Sequence, residues 1–122
     1  MRALVLFSSV ALAAAAAAQA TAPRGTLAGV VMRGPVSPVC VADQACEMPA
    51  KGVTLLFMRG GQTAGRIVTG VDGRYRLRLP AGLYTVRRTS ATGIDRRLSP
   101  THANVRAGAV VRVDFHIDTG IR

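Results

Sequence analysis

In GRYRLRLP, residues 73–80, arginine takes every second position: Arg74, Arg76 and Arg78 alternate with Tyr75, Leu77 and Leu79. A helix of 3.6 residues per turn would scatter these arginines around its circumference. A strand, whose side chains alternate between two faces, keeps them in one row and the apolar residues in another. The stretch VVRVDFHID, 110–118, repeats the rule, with Val111, Val113, Phe115 and Ile117 on one face and Arg112, Asp114 and His116 on the other. A half-buried strand is the local structure both stretches demand, and a chain built from such strands must bury one face of each against a second sheet.

Five more stretches read as strands: GTLAGVVMRG (25–34), GVTLLFMR (52–59), AGRIVTG (64–70), GLYTVRRT (82–89) and ANVRA (103–107). Gly60-Gly61, Asp72-Gly73 and Pro80-Ala81-Gly82 fall between them, and Asp72-Gly73 is a short-hairpin dipeptide because glycine tolerates the positive φ of the turn. No stretch after residue 20 has a 3.6-residue period, and no internal repeat or linker is visible. Short strands at regular spacing with Gly and Pro turns predict an antiparallel β-sandwich of about seven strands.

The first twenty residues have a different character. Met1-Arg2 begins a run, Ala3 to Ala18, that is apolar except for Ser8 and Ser9, and Ala18-Gln19-Ala20 has the small-x-small form signal peptidase accepts. The run is short of the ~20 residues of a membrane span, and no cysteine follows it to carry a lipid. The expectation is a helical Sec-type signal peptide over 1–20, cleaved before Thr21, with one domain over 21–122 and no integral membrane segment after cleavage. Export places that domain in the periplasm, the cell envelope or the medium. Without Arg2, fifteen basic side chains face six acidic ones, a net charge of +9, and fourteen of the fifteen are arginine. Such a surface attracts anionic partners at low salt.

Cys40 and Cys46 are the only cysteines. In an exported chain a structural disulfide is the expectation, with free thiols, a metal site and redox use as the alternatives. Five residues separate the pair, where a thioredoxin-type motif has two, and His102 and His116 stand at no familiar zinc offset from it. The disulfide would pin the long Pro-containing loop between the first two predicted strands.

The stretch TGVDGRYRLRLPAGLYTV resembles the central signature of carboxypeptidase regulatory-like domains, through Asp72-Gly73, Tyr75, Pro80-Ala81-Gly82 and Tyr84-Thr85-Val86. The upstream GTLAGVV and PAKGVTLLF sit where that family has its first two strands, so the resemblance covers nearly all of 21–122. Read from GPVSPVC to VDFHIDTGIR, the chain is also similar to small exported bacterial proteins built from this one domain. The resemblance implies a transthyretin-like (prealbumin-like) sandwich and a non-enzymatic role as a spacer, adhesin segment or binding module.

Chemistry beyond that is thinly signposted. Arg74, Arg76 and Arg78, ~6.6–7 Å apart along one strand face, are the candidate surface for an anionic ligand. Arg66, Arg87, Arg88 and Arg112 could join them if neighbouring strands align. A solvated face that discourages edge pairing is the competing reading. Sequence-specific nucleic-acid binding is not expected, because stacking aromatics are missing from that face and Tyr75 belongs to the apolar one. Phe57, Tyr75, Tyr84 and Phe115 read as core, which leaves little for sugar stacking. No local pattern relates Ser90, Ser99, His102 and His116 as nucleophile and base, and DQACE and DGRYR hold too few carboxylates for calcium. The transthyretin-like hydrolases end in Tyr-Arg-Gly-Ser whereas this chain ends DTGIR, so their activity is not carried over. Some related surface domains crosslink a lysine to an asparagine beside a buried acid. Lys51 and Asn104, each the only residue of its type, are the candidates here.

The reading is an exported, non-enzymatic accessory or binding module needing no cofactor or metal, with another envelope protein or an anionic envelope polymer as partner. The alternatives are an anionic-ligand binder using the arginine face and, from a different class, a transthyretin-like ligand carrier or hydrolase.

Overall fold

The computed structural model describes residues 22–89 and 97–121; the expected leader over 1–20 and Ser90 lie outside them. The described residues form an all-β sandwich, as the alternation demanded. Strand β1 (Arg24–Gly34) is its spine. Its buried Leu27 and Val31 share one face, and it is hydrogen-bonded along both edges. One edge takes β5 (Arg74–Pro80) antiparallel and, further on, the two-residue β2 (Met48–Pro49). The other takes β9 (Val110–Arg112) and then β10 (Phe115–Asp118), both parallel, and β10 carries β7 (Arg97–Ser99) antiparallel. The second sheet is antiparallel throughout, in the order β4 (Gln62–Val68), β3 (Thr54–Arg59), β6 (Gly82–Arg88), β8 (His102–Val105).

All seven stretches read as strands from the sequence are strands here. Gly60 and Gly61, with φ of 58° and 77°, make the two-residue turn that closes β3 onto β4 through Arg59↔Gln62, a geometry needing positive φ at both central positions. Asp72-Gly73 acts differently from its hairpin reading. Gly73 does have a φ of 75°, but β4 lies in one sheet and β5 in the other, so this turn carries the chain across the sandwich. The Gly60-Gly61 hairpin has already paired β4, and β5 goes to the free edge of β1.

The 110–118 run is interrupted at Val113-Asp114 without losing register. Ala28↔Arg112 and Val31↔Phe115 are both 84 residues apart. Across the gap Val113 N donates to the Ala28 carbonyl at 3.0 Å, and Val30 N donates to Asp114 Oδ1 at 3.0 Å, so a side-chain oxygen stands in for a backbone rung. Gly29 makes this possible, because a Cβ there would fall 2.1 Å from the Val113 oxygen. The Tyr75 hydroxyl donates to that same Val113 oxygen.

Between the sheets, the rings of Phe57, Tyr75 and Phe115 meet with centroids 5.6–6.3 Å apart, within the range where aromatic pairs add to simple area burial. Tyr84, also buried, donates its hydroxyl to the Pro80 carbonyl four residues upstream at 2.5 Å, so both interior phenols are satisfied. Buried Thr69 does the same for the β2–β3 connection, donating to the Ala50 carbonyl and accepting from Val53 N.

Candidate functional site

Because Tyr75 and Leu79 are buried and Leu77 half-buried, Arg74, Arg76 and Arg78 project together from the outer face of β5. β5 pairs with β1 alone, so the row stands on an edge strand, where charge also discourages pairing with another chain. Register sets its neighbours: Arg78 lies opposite Thr26, Arg76 opposite Ala28, and Arg74 opposite Val30. Across β1, Thr26 pairs with Val110 and Ala28 with Arg112. Three strands thus place Arg76, Ala28 and Arg112 in one row, with the two arginine Cα atoms about 9–10 Å apart at the usual inter-strand spacing.

The small Ala28 side chain leaves an open depression of about 680 Å³ between the two arginines, lined by Ala28, Val30, Arg74, Arg76, Val110 and Arg112 among others. The structure therefore changes the candidate site. Arg112 enters from a strand 36 residues away, and Arg78 lies at the margin. Arg66 and Arg87 do not join, because they belong to the second sheet, where they flank Leu56. The chemistry of Arg112 pointed to the face, but only strand order could place it there.

Two carboxylates hold the ends of the depression. Asp114, fixed by Val30 N, accepts from Arg112 Nε at 3.2 Å with both oxygens, and Asp72 lies 3.5 Å from Arg74 Nε. Both contacts are made through Nε. Among the described residues neither Arg76 nor Arg78 has an acidic partner. These exposed pairs contribute at most about 1 kcal/mol each to stability. Below the face, burial, reinforced by the charge of Asp114, holds the Tyr75 phenol above its ordinary range.

At the far end of β1, Cys40 and Cys46 form a disulfide, with Cα atoms 5.4 Å apart. Val36 N donates to the Cys46 carbonyl at 2.8 Å and Gln44 N to the Val41 carbonyl at 3.0 Å, so the loop has internal order. Both its ends are tied to the C-terminal strand region. Thr119 Oγ1 donates to the Pro35 carbonyl at 2.6 Å, and Glu47 Oε1 lies 3.1 Å from His116 Nε2. Val39 and Val41 are exposed at its tip.

The histidines are separate. His116 belongs to that loop contact. His102, exposed on β8, touches the Thr101 hydroxyl at 2.9 Å, and no carboxylate among the described residues is bonded to it. Lys51 and Asn104 are not neighbours. Asn104 pairs with Leu83, two residues beyond the Thr85 that faces Met58, whereas Lys51 precedes Thr54 at the other end of β3. About 20 Å of strand intervenes at ~3.3 Å per residue, so the two candidate crosslink residues do not meet.

No family model matches the sequence, and no curated protein matches it. Solved structures do match in fold. The Bacillus anthracis TIE protein superposes with a TM-score of 0.54 at 18% identity, over 79% of this chain and 16% of that one. GBS52, the minor pilin of Streptococcus agalactiae, gives 0.51 at 15% identity over 79% and 44%. The shaft pilin SpaA of Lactobacillus rhamnosus GG gives 0.50 at 15% identity over 79% and 50%. The chain spans from about one sixth to one half of the length of these proteins. At such identities they share architecture and nothing finer: this chain has an all-β sandwich fold that also occurs within pilins.

Proposed function

We propose that this chain is an exported, non-enzymatic module of the carboxypeptidase regulatory-like, transthyretin-like kind, acting as a structural or accessory part of the cell envelope or its surroundings. The observation that carries the reading is the fold it shares with two pilins and the TIE protein, joined to a disulfide that suits an oxidising compartment. The leader composition agrees with both. Another envelope protein is the partner this role calls for, and the disulfide-pinned loop with its exposed valines is the part of the surface shaped to meet one.

Fractionating a host culture and measuring the intact mass of the protein tests this reading. A chain starting at Thr21, two hydrogens lighter than its reduced form and found outside the cytoplasm, is the expected result. A full-length protein with free thiols in the cytoplasm would sink it.

A second reading, binding of an anionic ligand, is favoured by one observation: the depression between Arg76 and Arg112. It predicts retention on immobilised polyanions that weakens steeply as salt rises.

A further inference from the structure

Each outer face of the sandwich sets one apolar side chain between two arginines from the neighbouring strands. On the second sheet Arg66 and Arg87 flank Leu56; on the first Arg76 and Arg112 flank Ala28. A leucine between two arginines fills the space and lies under their alkyl stems, an ordinary way to cover an apolar side chain. An alanine leaves the space open. The open side is also the one on which a carboxylate holds one of the flanking guanidiniums by Nε, through Asp114 on Arg112, while Arg76 has no acidic partner among the described residues. Fixing a guanidinium by Nε reduces the freedom it loses when its terminal nitrogens bind something else.

We propose that the depression over Ala28 is a clamp for a tetrahedral oxyanion, phosphate or sulfate, carried on a linear polymer that lies along β1. The inference rests on the anionic-ligand reading and narrows it to one seat and one chemistry. Two guanidiniums approaching from opposite walls need an acceptor with oxygens on both sides. A phosphate or sulfate group directs its oxygens tetrahedrally toward both walls, whereas the two oxygens of a carboxylate lie in one plane and best match a single guanidinium fork. Further groups on the chain reach Arg74 and Arg78, spaced at the two-residue strand repeat of ~6.6–7 Å. Ala28, Gly29 and Val30 give a floor with no exposed aromatic ring, since the ring of Tyr75 is buried in the core, and this suits a flexible chain better than stacked rings. Asp72 and Asp114 offset part of the local charge, so Arg76 carries the attraction and Arg112 the geometry.

The test compares variants of the protein from Thr21 onward on immobilised polyphosphate, heparin and polyglutamate across a salt series, with thermal melts to confirm folding. Ala28→Leu keeps every charge and fills the seat, and its loss of polyphosphate and heparin retention, by about tenfold, is the expected result. Arg76→Ser with Arg112→Ser should lose as much and flatten the salt dependence, by roughly one counterion per arginine removed. Arg66→Ser with Arg87→Ser, the same charge change on the opposite face, should lose no more than about threefold through the general field alone. Stronger retention on polyphosphate identifies a phosphate polymer and stronger retention on heparin a sulfated one; both uphold the clamp. Ala28→Leu binding like the parent, or the opposite-face pair losing as much as the Arg76 and Arg112 pair, overturns the clamp and leaves diffuse attraction. Equal retention on polyglutamate overturns the tetrahedral chemistry. A parent protein held by none of the three polymers removes the anionic-ligand reading itself.

Discussion

A methyl group added to Gly29 would sit 2.1 Å from the Val113 oxygen and 2.8 Å from Asp114 Oδ1, and both belong to a segment held by backbone bonds on either side. Neither can retreat without breaking the hydrogen bonds that hold the Val113-Asp114 segment, between β9 and β10, to β1. Gly29→Ala is therefore expected to destabilise the fold by at least about 2 kcal/mol, lowering the melting temperature by roughly 10 °C in a domain of this size. A shift within a degree or two would mean that the crossing has room. Tyr75→Phe removes the donor to the same oxygen and should cost about 1–2 kcal/mol. Its phenol also carries a pH signature. Because the fold raises its pKa, the neutral form is favoured: that stabilisation is complete below the ordinary tyrosine pKa and fades as pH rises through and beyond it. Alkaline titration by tyrosinate absorbance should show the Tyr75 phenol ionising late or only on unfolding, and Tyr75→Phe should remove its share of the late signal. The inward phase of Tyr75 was legible from alternation alone. The need for glycine at 29 was not, because the atoms that require it come from 84 residues further along the chain.

Strands were legible at the level of elements, and their partners were not. Alternation reports which face a side chain takes, so Arg74, Arg76 and Arg78 were placed in one row correctly. Which strand lies two positions away depends on long-range pairing, and so Arg112 entered the site only with the register. The same limit explains Asp72-Gly73. Turn chemistry specifies a reversal with positive φ, but not whether the strands it joins share a sheet. The disulfide loop shows the opposite case, where compartment and spacing were enough to expect the pairing. Closing so short a loop contributes only about 2 kcal/mol in the chain-entropy view. Reduction should therefore lower the melting temperature by no more than about 10 °C and leave the far-ultraviolet circular dichroism of the sheets unchanged. Loss of the β signal on reduction would show that the loop supports more of the fold than its Pro35, Val36 and Glu47 contacts account for.

For the molecule as a whole, a single strand is the shared support. β1 contributes Leu27 and Val31 to the core, carries the floor of the arginine depression, and leads at its far end into the pinned loop. Removing residues 109–122 takes away β9 and β10, strips one whole edge from β1, and deletes Phe115 and Ile117 from the core. Such a truncation should give a chain without a cooperative thermal transition and open to protease throughout; a protected, melting fragment would show that the two sheets hold without the parallel edge.

The parallel pairing of β1 with the last strands has a consequence for the export proposed above. A secreted chain leaves the membrane N-terminal end first, so β1 is delivered before anything it must lie against on its parallel edge. Its neighbours there arrive only after nearly the whole domain has passed, and contacts this distant in sequence form slowly. The interval between those two arrivals is a window in which β1 has one edge without its own partner, open to chaperones, proteases or a neighbouring chain. The first strand delivered is among the last completed.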